Sequence, residues 1–238
     1  MRQEQGPKLT VAAAPGVHDT VLSMLPPPPC SVLDAGAGSG ALSERMAKQG
    51  YRVRACEMRP ELFAAPSVSC DFADVQVRLP YGDAEFDCGI MVEVIEHLDS
   101  PSHALGELVR VVRPGGTVVV TTPNIQNYLS RLHFLLRGNY GKYFADAELR
   151  GDRDSVYRHA MPLHHLTVRR LLRSAGAPVV DVRANELLTI RRIRSIRAVV
   201  GKLLVVLSVS LMQPAGQRVL IQGEILCFKA VKLAPTRL

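Results

Sequence analysis

The nine residues Val32-Leu33-Asp34-Ala35-Gly36-Ala37-Gly38-Ser39-Gly40 constrain this chain more than any other stretch. A short apolar run ends on an acid, meets three glycines at alternate positions and continues into an amphipathic segment. That order reads as a buried strand, a tight turn and a helix. Glycines at the turn let the backbone adopt left-handed conformations and approach a ligand without a Cβ in the way. The N-terminus of the following helix offers unpaired N–H groups to a carboxylate or phosphate. Alone, the motif is ambiguous: Gly36-x-Gly38-x-x-Ala41 also satisfies the loose dinucleotide fingerprint, and a purely structural turn would look alike.

The pattern around it repeats in kind. Strands are expected at 30–34, 51–57, near 67–72, 86–92 and 117–122, with helices at 39–49, 60–65 and 101–112 between them. The Arg113-Pro114-Gly115-Gly116 turn leads into the last of these strands. Strands alternating with helices at this spacing imply parallel strands joined by right-handed crossovers, hence an α/β, doubly wound, mostly parallel sheet with helices on both faces. Residues 1–29 form a leading segment: a short helix at 17–25, then the stiff run Pro26 to Pro29. The main domain is expected over 30–238. It carries an insertion at about 124–166 that starts with a helix at 124–136, a helix and strand at 167–174 and 177–182, and a C-terminal helix and strand at about 186–231.

Composition narrows the class. Hydrophobic residues at 47% and charged residues at 21% are ordinary for a globular chain and exclude a disordered one. Five scattered cysteines, with no C-x-x-C pair, argue against a disulfide framework or a zinc ribbon and fit a reducing cytoplasm. The first residues have no apolar core for a signal peptide, and no apolar run is long enough to span a bilayer. Between residues 150 and 202 twelve Lys/Arg face four Asp/Glu, a net +8, so the rest of the chain sums to −1 of the total +7. The positive charge is therefore local, as on a face that meets something anionic.

Three features beyond the glycine loop follow at set intervals. Glu57 closes the second strand, Asp74-Val75 follows the third, and Val92-Glu93-Val94-Ile95-Glu96-His97-Leu98 ends the fourth, ahead of the Arg-Pro-Gly-Gly turn. This ordered set resembles the S-adenosylmethionine-dependent methyltransferases of the Rossmann-like class, specifically the type 11 group, over roughly residues 15–185. The resemblance implies a seven-stranded sheet and S-adenosyl-L-methionine as cofactor. It implies that Asp34, Gly36, Ala37, Gly38 and Gly40 hold the methionine half, and that Glu57 with the adjacent Met58 takes the ribose. Asp74 and Val75 would meet the adenine, and Met91 and Glu93 the methyl side.

For a hydroxyl acceptor a base near the methyl helps. His97 and Glu93 are the catalytic candidates; four apart, they share one face if that turn is helical. The 124–166 insertion resembles that of type 11 members found with glycan and secondary-metabolite pathways, which implies a lid over the acceptor pocket and makes Tyr128, Arg131, Tyr140, Tyr143 and His164 the acceptor-side candidates. The expected acceptor is a small molecule or glycan-type compound. Two other readings stand beside it. One is a metal-assisted RNA 2′-O-methyltransferase in which Glu93, Glu96 and His97, with His164 or His165, hold a divalent cation. The other is a non-catalytic or NAD-binding Rossmann-like domain. Nucleic acid is the less expected partner, since the chain is poor in stacking aromatics. The basic turn at 191–197 and the apolar run after it suit packing on the sheet, a homodimer interface or a peripheral membrane contact.

Overall fold

The computed structural model describes residues 7–140, 161–186 and 218–234. The strands β1 (Ser31–Ala35), β2 (Arg52–Glu57), β3 (Ser69–Phe72), β4 (Phe86–Met91), β5 (Val112–Pro123), β6 (Val179–Ala184) and β7 (Ile225–Val231) form one sheet in the order β3-β2-β1-β4-β5-β7-β6. The first five pair in parallel, and β7 inserts antiparallel to both β5 and β6. The order reverses between β1 and β4, the place where a doubly wound sheet opens a crevice at its carboxyl edge. The glycine loop and the Glu93–His97 stretch both leave the sheet there.

The helices follow from their apolar spacing. Helix α3 (Pro101–Val111) starts with proline at its first position and buries Ala104, Leu105, Leu108 and Val109, a stripe with helical period. With α5 (His165–Ser174), which buries Val168 and Leu172, it covers one side of the sheet. Helices α1 (Val17–Met24) and α2 (Ala41–Lys48) cover the other through Val17, Val21, Met24, Leu42 and Met46. Each such aliphatic side chain contributes roughly 1.5–3 kcal/mol on burial, so both layers are well anchored. Among the described residues no helix is long and apolar enough to cross a membrane.

Three expectations are corrected. The Arg113–Gly116 stretch is not a turn before the strand but part of β5 itself, with a register shift opposite Phe86 and Cys88 that absorbs the glycines. The helix expected from residue 124 is α4 (Tyr128–Arg137), four residues later. Asn124 and Asn127 hold the preceding backbone in a turn, their side-chain oxygens accepting the N–H of Gln126 (2.9 Å) and Ser130 (2.8 Å). The short helix at 60–65 is only a 3-10 turn, Pro60–Leu62. The middle of the lid and most of the C-terminal stretch before α6 (Arg218–Gln222) lie outside the described residues.

Candidate active site

The loop between β1 and α2 is built by its glycines. Gly36, Gly38 and Gly40 all have positive φ, at 77, 56 and 84°. Their surroundings differ. A Cβ on Gly36 would lie 2.7 Å from Val94, and one on Gly40 2.5 Å from Phe63, whereas one on Gly38 would meet no atom within 4 Å. Gly36 and Gly40 are thus packed glycines, and Gly38 is the one with open space before it. The N–H groups of Gly36 and Ala37 donate to the Cys56 carbonyl, which stitches the loop to β2.

Asp34 sits beneath this turn at 2% exposure, and the Ser43 hydroxyl donates to its Oδ2 at 2.6 Å. Burial pushes its carboxyl up to about 6; the Ser43 hydrogen bond opposes this and the nearby Glu57 charge adds to it. A carboxylate so placed favours a cationic neighbour. Glu57 is fixed at the end of β2, its Oε2 accepting the Gly38 N–H (2.9 Å) and its Oε1 the Met58 N–H (3.0 Å). Met58 follows, exposed. Beyond β3, Asp74 accepts the Gln76 N–H at 2.9 Å in an Asx turn, beside buried Val75. The loop, Glu57 and the Asp74 turn therefore come together at the carboxyl edge of β1, β2 and β3. Met91 does not join them: its side chain is wholly inside the core, so it backs the site.

Glu93 is held in a left-handed conformation (φ 54°), its N–H donating to the Thr121 hydroxyl at 2.8 Å. Its Oε2 accepts the Ala14 N–H at 3.1 Å. The turn that follows is a 3-10 turn, Ile95–His97, so Glu93 and His97 do not share a helical face. The same N-terminal segment is pinned at a second point: Ser39 Oγ accepts the Thr10 N–H (3.0 Å) and donates to the Thr10 carbonyl (2.7 Å). Residues 10–14 therefore run as a strap from the glycine loop to Glu93.

The acceptor-side candidates are spread out. Tyr128 is buried, and Arg131 donates to the Gln126 carbonyl at 2.7 Å. Gln126 also receives His165, Nδ1 to Oε1 at 2.5 Å, and His164 caps α5 by accepting the Leu166 N–H. Burial, then His164 and Arg169, pushes the His165 imidazole down to about 4, so it is neutral near pH 7. Met161 donates to the Glu96 carbonyl, bringing this segment beside the Glu93–His97 turn. Tyr140 is instead at the far end of α4, stacked on Phe134. Tyr143 lies outside the described residues. Among the described residues no group of three His, Cys, Asp or Glu is placed to hold a metal ion, so the Glu93/Glu96/His97/His165 set is not assembled.

Ser43, Gln126 and the Thr10–Ala14 strap were not legible as site elements. Ser43 alone left a trace, a hydroxyl on the apolar face of α2 between Leu42 and Met46.

Residues 33–120 match the family model described as a methyltransferase domain. A ubiquinone biosynthesis O-methyltransferase of Xanthomonas campestris is 31% identical over 115 residues, 44% of this chain and 48% of that protein. The chain thus spans about half the length of the curated relatives it matches. Among solved structures, an S-adenosylmethionine-dependent methyltransferase from Archaeoglobus fulgidus superposes with a TM-score of 0.63 at 17% identity, covering 90% of both chains. A [4+2]-cyclase superposes at 0.55 and 18% identity, covering 98% of this chain and 88% of the other. These structural likenesses show a common fold, and a fold alone does not choose a reaction.

Proposed function

We propose that this protein is an S-adenosylmethionine-dependent methyltransferase, as the match of residues 33–120 to a methyltransferase domain supports, and that it transfers a methyl group from S-adenosyl-L-methionine to an oxygen of a small-molecule or glycan-type acceptor. The observation that carries the reading is the cradle at the glycine loop: open space before Gly38, a buried Asp34 braced by Ser43, and a fixed Glu57. Asp34 supplies negative charge for the cofactor's ammonium end. Glu57 accepts from the ribose hydroxyls, and the Asp74 turn with Val75 meets the adenine.

The cofactor supplies a methyl already activated on a sulfonium, so the protein's main task is alignment. The Thr10–Ala14 strap, tied at Ser39 and Glu93, closes the methionine side against water. His97, on the turn after β4, accepts the proton of the acceptor hydroxyl; Glu93 acts chiefly as the anchor of the strap. Gln126, Arg131, His164 and neutral His165 border the acceptor side from the β5–α4 loop and the start of α5. The oxygen acceptor is supported by the named reaction of the Xanthomonas campestris relative.

Transfer of labelled methyl from S-adenosylmethionine to a panel of phenols, sugars and amines tests this. Label is expected on hydroxyl compounds, and His97→Ala is expected to lower kcat about 100-fold with cofactor affinity unchanged. Label on amines alone would overturn the oxygen assignment.

A further inference from the structure

Helix α4 is largely unburied along its length. It buries only Tyr128, while at its outer end Phe134, Leu135 and Leu136 are 48, 77 and 73% exposed. The tip is ordered: Gly138 closes the helix in a left-handed conformation, His133 Nδ1 bonds the Asn139 carbonyl at 2.9 Å, and Phe134 stacks on Tyr140. A preformed cluster of large apolar side chains on a surface marks an interaction site.

On the two described helices at this face, α4 and α5, the charge has one sign. Within α4 the ionised side chains are Arg131 and Arg137, with no carboxylate. Helix α5 begins beside the root of α4, where His165 bonds Gln126, and it carries Arg169, Arg170 and Arg173, again with no carboxylate. Leu166 on its first turn is exposed too. At the same root, Asn124 Nδ2 donates to the carbonyls of Leu220 (2.8 Å) and Gly223 (2.9 Å).

We propose that this face docks on an anionic lipid bilayer, with Leu135 and Leu136 entering the interface and Arg137 and the arginines of α5 meeting lipid phosphates. Apolar insertion combined with arginine-to-headgroup attraction is how a non-spanning helix holds to a membrane. A second copy of the chain fits less well. A two-fold contact through α4 would bring the arginines of one copy near those of the other, which like-charge repulsion disfavours. The proposal is independent of methyl transfer.

The test is flotation of the full-length protein with phosphatidylcholine vesicles, with and without phosphatidylglycerol, at low and high salt. The protein should float with the anionic vesicles only, and less so as salt rises. L135E/L136E should lower the bound fraction about tenfold while its melting temperature and S-adenosylhomocysteine affinity stay those of the parent. If that variant fails to fold, Arg137→Glu and the salt series decide. A parent that stays behind with both vesicle types, or a variant that floats as well as the parent, overturns the proposal. So does a lipid-free dimer in sedimentation equilibrium that L135E/L136E dissociates, since that assigns the face to a second copy.

Discussion

Ser43 donates its hydroxyl to Asp34 at 2.6 Å, both side chains buried, and so ties β1 to α2 across the glycine loop. A hydrogen bond to a charged group is worth about 1.5–3 kcal/mol, and here it favours the ionised carboxylate proposed to face the cofactor's ammonium. Ser43→Ala is expected to weaken S-adenosylhomocysteine binding by about tenfold or more. Without the bond, burial acts on Asp34 unopposed, so the loss is larger at pH 6 than at pH 8. Calorimetry at the two pH values checks this. Methylthioadenosine, which lacks the amino-acid half, should bind parent and variant alike.

Asp34 also sets a stability cost with a definite sign. Its folded-state pKa, about 6, lies above the ordinary 3.8, so the folded protein resists ionising it. The cost is absent below about pH 4, grows through the interval, and reaches about 3 kcal/mol above pH 6. Asp34→Asn should raise the melting temperature of the cofactor-free protein at pH 8, leave it nearly unchanged at pH 4, and abolish tight cofactor binding. Thermal melts at both pH values, with and without S-adenosylhomocysteine, measure all three.

The loop glycines should separate packing from binding. Gly40→Ala sets a methyl 2.5 Å from the Phe63 ring in a left-handed conformation, and should destabilise the fold by about 2–4 kcal/mol. Gly38→Ala meets no neighbour, so it carries only the backbone strain of about 1 kcal/mol yet places a methyl in the space proposed for the cofactor. Urea unfolding and cofactor titration of the two variants should rank them in opposite orders.

The strap offers its own reporter. The chain has no tryptophan, and Val11, between the two anchor points, is exposed. A single tryptophan in Val11→Trp should change its emission on adding S-adenosylhomocysteine. Ser39→Ala in that background should speed release of the ligand in stopped flow. An emission blind to the ligand would place the strap away from the cofactor.

Much of this was legible because backbone chemistry wrote it. The Asp34–Gly40 turn follows from glycines at positive φ, the α3 stripe from apolar spacing, and Glu57 from its place in the order of motifs that the resemblance supplies. The start of α4 was misjudged because Asn124 and Asn127 bond their own backbone, and that competition depends on partners such as Leu220 nearly a hundred residues away. The pairing of Glu93 with His97 failed because Thr121 and Ala14, both remote in sequence, fix Glu93 in a left-handed turn. Helical spacing carries no word of either contact. The strap leaves no mark in the sequence for the same reason, since its ties to Ser39 come from backbone atoms of Thr10, which any residue supplies.

The central claim is that the glycine loop with Asp34 and Glu57 grips a nucleoside joined to an amino acid. Titration calorimetry of the intact protein with S-adenosylhomocysteine, and separately with NAD, tests it most directly. Saturable binding of the first at one site, weakened about tenfold or more by Glu57→Ala, and no heat from the second is the predicted result. Binding of NAD with no response to S-adenosylhomocysteine would contradict it.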